Sequence, residues 1–289
     1  MTTLSDLVAD ARSRLSAAGL PDAALEARIL IGGLLGLTAT EVFVEGDRVI
    51  GAGERAEIEN AIARRLKREP VHRILGRREF HGTMLRLSPA TLEPRPDTEI
   101  LVDAVLPHVR QIVASSGKAR ILDLGTGTGA IILALLKECP RATGVGTDIS
   151  DDALQTAREN AASLGLADRF ETIASNWLEN VDGQFDIVVS NPPYIRTDVI
   201  AALEPEVREF DPMRALDGGP DGLECYRAIA EGAGRVLTQG GLIGLEIGYD
   251  QKDSVTAVFA AEGFVLRQAF RDFGDNDRVL LFARAEPGG

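Results

Sequence analysis

The chain has 289 residues, 45% of them hydrophobic and 26% charged, and its 44 acidic against 31 basic side chains give a formal charge of −13. This is the balance of a globular protein of about two domains. It excludes a bilayer-spanning helix, because the longest apolar run, Ile29–Leu37, is nine residues against the ~20 that a span requires. Met1–Asp6 holds no basic region followed by an apolar stretch, so no secretory signal is read there. Two cysteines, Cys139 and Cys225, are too few for a disulfide framework and too far apart for a metal-ligand pair. A reduced, cytoplasmic setting without a metal site is expected. Charge is uneven: residues 1–92 carry 13 basic and 12 acidic side chains, and residues 93–289 carry 18 and 32. The acidic larger part repels phosphate backbones, so free nucleic acid is not expected as a partner.

The first part reads as helices. Leu4, Leu7, Val8, Ala11 and Leu15 recur at helical spacing and stop at Gly19. Pro21 opens a second helix through Leu25, Ile29, Leu30 and Leu34, and a third runs from Gly51 to Glu69 before Pro70. From Glu79 to Ser88 the period shifts towards two, with a turn at His81–Thr83, which predicts a β-hairpin. Strands are then expected at Ala119–Leu124, Thr143–Asp148, Phe170–Ala174, Phe185–Ser190, Gly241–Ile247, Val265–Phe270 and Val279–Ala283. Helices are expected at Thr98–Val113, Ala130–Glu138, Asp151–Leu164, Cys225–Val236 and Gln251–Glu262, with a frayed tail at Glu286–Gly289. The alternation implies an α/β fold with a parallel sheet, whose ligands bind beyond the carboxyl ends of the strands.

Ile121-Leu-Asp-Leu-Gly-Thr-Gly-Thr-Gly-Ala130 is a strand, a glycine-rich turn and a helix start. Asp148 follows Gly129 by nineteen residues, at the end of the next strand, where a carboxylate can accept hydrogen bonds from both hydroxyls of a ribose. Gly125, Gly127 and Ala130 also satisfy a dinucleotide fingerprint. The acid at Asp123, however, repels a pyrophosphate and attracts the ammonium of a bound amino acid, and this favours S-adenosylmethionine.

After the fourth strand comes Asn191-Pro192-Pro193-Tyr194. Two prolines stiffen this corner, which suits a planar nitrogen nucleophile bearing two hydrogens. The Asn191 side-chain oxygen and the Pro192 carbonyl can each accept one N–H, and the Tyr194 ring can stack on the conjugated plane near a sulfonium. Two acceptors on the N–H bonds stabilise the positive charge that develops on nitrogen during methyl transfer. No general base is needed.

Asn-Pro-Pro-Tyr resembles the signature of enzymes that methylate amino groups from S-adenosylmethionine, of both the DNA adenine-N6 and the protein glutamine-N5 types. Ser88–Glu99, Gly125–Gly129, Leu245–Gly248 and Gly274–Val279 also resemble motifs of the HemK/PrmC family, the release factor glutamine methyltransferases. The resemblance runs from about Pro70 to Phe282 and implies a Rossmann-like methyltransferase sheet behind a small N-terminal helical domain joined by a β-hairpin. The implied division is a helical substrate-binding domain over 1–78, a hairpin linker over 79–93 and a methyltransferase domain over 94–289. The implied reaction moves a methyl group to the side-chain amide nitrogen of the glutamine in the Gly-Gly-Gln loop of class I peptide chain release factors, and DNA adenine-N6 methylation is the alternative. Gly125, Thr126, Gly127, Thr128, Gly129, Asp148, Trp177 and Asn191 would hold the cofactor. Asn191, Pro192, Pro193 and Tyr194 would meet the substrate, with Asn191, Pro192 and Tyr194 the catalytic set. Where the family commonly has Asp before the tryptophan, this chain has Asn176. No membrane partner is expected, and a monomer is.

Other residues carry two readings. The basic run Arg64, Arg65, Lys67, Arg68, Arg73, Arg77 and Arg78 reads first as a solvated helix face and second as a docking patch for an acidic protein. Arg95, Thr98 and Glu99 are candidates to border the cofactor pocket, with Thr98 equally a helix cap. Glu246 ends a strand on the active-site edge and is either structural or functional.

Overall fold

A computed structural model of the chain describes residues 2–285; the expected tail at Glu286–Gly289 lies outside them. In chain order the elements are α1 (Leu4–Ala17), α2 (Ala23–Leu35), α3 (Ala39–Val44), α4 (Ala52–Leu66), α5 (Val71–Leu75), β1 (Arg77–Phe80) and β2 (Thr83–Arg86). There follow α6 (Glu99–Ser116), β3 (Ala119–Leu124), α7 (Ala130–Glu138), β4 (Ala142–Asp148), α8 (Asp151–Ser163), β5 (Phe170–Ala174) and β6 (Phe185–Ser190). The last are α9 (Pro205–Arg208), α10 (Glu224–Val236), β7 (Leu237–Glu246), α11 (Lys252–Ala261), β8 (Phe264–Arg271) and β9 (Asp277–Arg284). The chain divides into two compact units: one reaches to Arg78 and takes in Glu204–Phe210, and the other holds Glu79–Leu203 and the chain from Asp211. None of the described helices is long and apolar enough to cross a membrane.

The helical unit packs around Leu4, Leu7, Ala11 and Leu15 of α1, Leu30 and Ile31 of α2, and Ile58 and Ile62 of α4. Thr3 caps α1 reciprocally with Asp6, and Thr38 does the same for α3 with Glu41. The second box explains a helix that periodicity misses: six residues are too few to show a stripe, yet Thr38-x-x-Glu41 is a start signal.

The basic run is solvated only in part: Arg64, Lys67 and Arg77 are exposed. Arg65 is buried, and its guanidinium makes a two-pronged pair with Glu26 (2.8 and 3.0 Å) and also reaches Glu206 (3.1 Å). Arg68 pairs with the same Glu206 at 2.8 Å, and Arg64 with Glu69 at 2.8 Å. These ion pairs hold α9 within the helical unit. Arg65→Met is expected to cost about 3 kcal/mol there, because it strands partly buried Glu26 and leaves Glu206 to Arg68 alone. Amide hydrogen exchange reads this directly: α2 and α4 should lose protection, and unchanged protection would refute the role.

The hairpin β1–β2 turns through His81 (φ 47°) and Gly82 (φ 64°), a left-handed pair that matches strand twist. The larger unit is a seven-stranded sheet in the order β5-β4-β3-β6-β7-β9-β8. The pairs β3–β4, β4–β5, β3–β6 and β6–β7 are parallel, while β9 runs antiparallel to both β7 and β8. The sheet is therefore mixed, which corrects the expectation of a parallel one. With only a tight turn at 272–276 between β8 and β9, the chain must reverse direction there. Helices α6, α7 and α8 cover one face and α10 and α11 the other. Both faces are buried, so central strands such as Ile121-Leu122 and Ile187-Val188-Val189 read as continuous apolar runs.

Candidate active site

The carboxyl ends of four neighbouring strands, β4, β3, β6 and β7, carry Asp148, the glycine loop, Asn191–Tyr194 and Glu246. Chain direction across the sheet reverses between β3 and β6, the point at which such sheets open a crevice. A cleft lies there, walled by Gly125–Thr128, Ala130, Asp148, Ile149, Trp177, Asn191, Pro193, Arg95, Thr98 and Arg214 among others.

The glycine loop is built for close approach. Gly127 has φ 55°, and a Cβ there would meet nothing nearer than 4.0 Å, so its backbone faces open space. Gly129 serves a different end. It does not open on the cleft, and a Cβ on it would strike Leu133 at 2.9 Å, so the third glycine lets α7 pack closely. Buried Asn160 on α8 donates to the Thr128 carbonyl (2.9 Å) and accepts from Arg86 N–H (2.8 Å), bracing loop and hairpin together. Sequence reading missed it, although a polar residue on the apolar stripe of α8 is a visible signal.

Asp148 accepts Gly127 N–H on Oδ2 (3.1 Å) and Ser150 N–H on Oδ1 (2.9 Å). Each oxygen keeps a lone pair for a ligand. Burial raises its pKa above the ordinary aspartate value, against the opposing pull of those backbone N–H groups. Asp123 departs from expectation. It is 1% exposed and absent from the cleft wall, and its Oδ2 accepts the Thr126 hydroxyl at 2.7 Å. Burial pushes its carboxyl up to about 7. Asp123 thus braces the loop from beneath through Oδ2, while its buried Oδ1 has no hydrogen-bond partner.

Trp177, at φ 48°, lies against Gly125 and contributes an aromatic surface to the cleft. Asn176 is exposed and donates to Glu179 at 2.6 Å, away from the wall. Of the other residues weighed, Arg95 and Thr98 line the cleft, whereas Glu99 accepts the His81 backbone N–H (2.9 Å). Arg95 pairs with buried Asp211 at 2.6 Å.

Ser190 at the end of β6 donates to the Leu124 carbonyl (2.7 Å), tying the start of the proline corner to β3. Asn191 Nδ2 donates to Thr98 Oγ1 at 3.1 Å, which leaves Oδ1 as an acceptor. Thr98 makes no side-chain cap of α6; its hydroxyl serves Asn191 instead. Gln251 donates to the Tyr194 carbonyl (3.1 Å), and the Tyr194 hydroxyl donates to Glu246 Oε1 (3.3 Å). Burial pushes the Tyr194 hydroxyl pKa well up, so it stays a donor. Asn191 and Pro193 line the cleft, with Pro192 buried and Tyr194 half-buried beside them.

An open glycine backbone, a carboxylate with two spare lone pairs and an aromatic surface fit a nucleoside, with Asn191 beside it. The architecture is that of an α/β methyltransferase. The fold is similar to that of a ribosomal protein L11 methylase from Lactobacillus delbrueckii subsp. bulgaricus, with a TM-score of 0.52 and 22% identity over 70% of this chain and 86% of that one. Residues 6–76 match the model of the PrmC N-terminal domain, and residues 98–203 that of the methyltransferase small domain. A release factor glutamine methyltransferase of Agrobacterium fabrum is 58% identical over 98% of both chains. One of Caulobacter vibrioides is 44% identical over 94% of this chain and 93% of its own. The chain belongs to the release factor glutamine methyltransferase family.

Proposed function

We propose that this protein transfers a methyl group from S-adenosylmethionine to the side-chain amide nitrogen of the glutamine in the Gly-Gly-Gln loop of class I peptide chain release factors. The observation that carries the reading is the Asn191–Tyr194 corner standing on the same sheet edge as the glycine loop and Asp148, with Asn191 Oδ1 left free to accept. Bound in the cleft, S-adenosylmethionine supplies an electrophilic methyl group, whose C–S bond breaks with its electron pair to sulfur as the new N–C bond forms. Asp148 would hold the ribose hydroxyls and Trp177 would flank the adenine, while Gly125–Thr128 would admit the cofactor closely to the backbone with Gly129 setting α7 behind them. Asn191 Oδ1 and the Pro192 carbonyl each accept one N–H of the glutamine amide. They fix the nitrogen in line with the methyl group and stabilise the charge developing on it. The extra proton leaves to water once the methyl is attached. Pro193 and Tyr194 keep those acceptors in place.

In this reading residues 1–78 recognise the release factor, 79–93 link, and 94–289 carry the chemistry. The protein works as a cytoplasmic monomer. The adenine-N6 alternative draws no support from the relatives named above, and the acidic residues 93–289 disfavour a nucleic-acid substrate. The test is transfer of labelled methyl from S-adenosylmethionine to a purified class I release factor, beside its Gln→Ala variant and duplex DNA. Label is expected on the unaltered factor alone. Label on DNA, or on the Gln→Ala factor, would overturn the proposal.

A further inference from the structure

Glu246 is a carboxylate that the proposed chemistry does not use, placed where the chemistry happens. It ends β7, is 1% exposed and receives the Tyr194 hydroxyl on Oε1 at 3.3 Å. Its Oε2 has no hydrogen-bond partner of ordinary geometry, an expensive arrangement for a buried group. The Thr98 hydroxyl interacts with the same carboxyl and favours its charged form. On its other side Thr98 Oγ1 accepts from Asn191 Nδ2 at 3.1 Å. One carboxylate therefore stands behind both polar ends of the corner, reached from Tyr194 directly and from Asn191 through Thr98.

We propose that Glu246 is a positioning residue that sets the hydrogen-bond direction of the Asn191–Tyr194 corner. A threonine hydroxyl has a single hydrogen. While the carboxylate takes it, Thr98 can offer Asn191 only a lone pair, so the Asn191 amide must turn Nδ2 towards Thr98 and Oδ1 towards the substrate. Without that acceptor the Thr98 hydroxyl can swing round and donate to Asn191 Oδ1. The amide then turns over and presents N–H groups to the N–H groups of the glutamine. The inference rests on the proposed methylation of a glutamine amide, in which an acceptor at Asn191 is required.

The groups facing the carboxyl are the Tyr194 hydroxyl, Arg278 on β9, which favours the charge, and Asp97 ahead of α6, which opposes it. Tyr226 on α10 donates to the Glu246 backbone carbonyl at 2.9 Å. Arg278 is itself engaged by Asp272 at 2.9 Å. Burial outweighs the rest and pushes the Glu246 carboxyl up to about 7. Acidification through that value adds a proton that competes for the same lone pairs, so turnover should fall as pH drops below it.

The test compares the wild-type chain with Glu246→Gln, which keeps the shape but replaces one acceptor by a donor. Methyl transfer to the release factor is measured across pH, with cofactor affinity read by calorimetry. Glu246→Gln is expected to lower kcat about 30-fold, move the S-adenosylmethionine Kd by less than about twofold and flatten the acid limb of the kcat profile. A release factor left unlabelled by the wild-type chain would defeat the proposed function. An active wild type whose Glu246→Gln variant keeps its kcat, or keeps the acid limb, would defeat this inference alone. Should that variant not fold, Thr98→Val and Thr98→Ser decide. The valine form should be at least about tenfold slower than the serine form, which retains the hydroxyl, and equal rates would overturn the proposal.

Discussion

Asn191→Ala is expected to lower kcat for methyl transfer by about 10²–10³-fold, equivalent to ~3–4 kcal/mol of transition-state stabilisation, the range seen when one preorganised polar group aimed at developing charge is removed. The S-adenosylmethionine Kd should stay within about threefold, because the residues proposed for the ribose and adenine, Asp148 at the end of β4 and Trp177 after β5, belong to other parts of the sheet edge. The size of the effect follows from the substrate. An amide nitrogen shares its lone pair with the carbonyl, and becomes a nucleophile only as that sharing is given up and positive charge gathers on the N–H groups. An oxygen already held against an N–H helps most at that moment and little before it. Here the oxygen is held: Nδ2 is tied to Thr98 at 3.1 Å, and the chain that follows is stiffened by two prolines and by Gln251 on the Tyr194 carbonyl. Single-turnover measurement with saturating cofactor separates the two effects. A variant with near-normal turnover would remove Asn191 from the chemistry.

Much of this arrangement is legible in the residues, for reasons that differ by element. The strands β3, β5 and β6 fall at their expected bounds, Ala119–Leu124, Phe170–Ala174 and Phe185–Ser190. Each is a short apolar run bounded by turn residues, and local pattern suffices for such a strand. The reversal of β9 was not legible, because strand order and direction are properties of the assembled sheet. Arg65 shows the limit of charge patterning: it belongs to a basic run, yet its partners Glu26 and Glu206 lie 39 and 141 residues away and draw it inside. Asp123 shows a related limit. Its place before the loop suggests a ligand contact, and the Thr126 hydroxyl three residues on takes one of its two oxygens as a brace that the spacing alone does not announce. Glu246 was visible as a strand-end acid, but its link to Tyr194 spans 52 residues and emerges only where β6 and β7 pair.

Asp148→Ala is expected to weaken S-adenosylmethionine binding by about 100-fold, or ~3 kcal/mol, the worth of two hydrogen bonds to a charged acceptor after exchange with water. Part of that loss comes through the loop. The carboxylate also holds the Gly127 and Ser150 backbone N–H groups, and its removal frees the turn that must fit the cofactor. Asp148→Asn separates the two contributions, since an amide oxygen can still take one backbone N–H but cannot receive both ribose hydroxyls. Its affinity should fall between that of the alanine variant and the wild type. The sign of the pH effect is fixed by the raised pKa of the free carboxyl. Ribose hydroxyls favour the ionised form, so affinity is full above that pKa and declines as acid protonates the group, beginning at a higher pH than for an ordinary aspartate. Calorimetric titration of the cofactor across pH checks both statements. Wild type should lose affinity on acidification and Asp148→Asn should not, and an unchanged Kd in the alanine variant would place the ribose elsewhere.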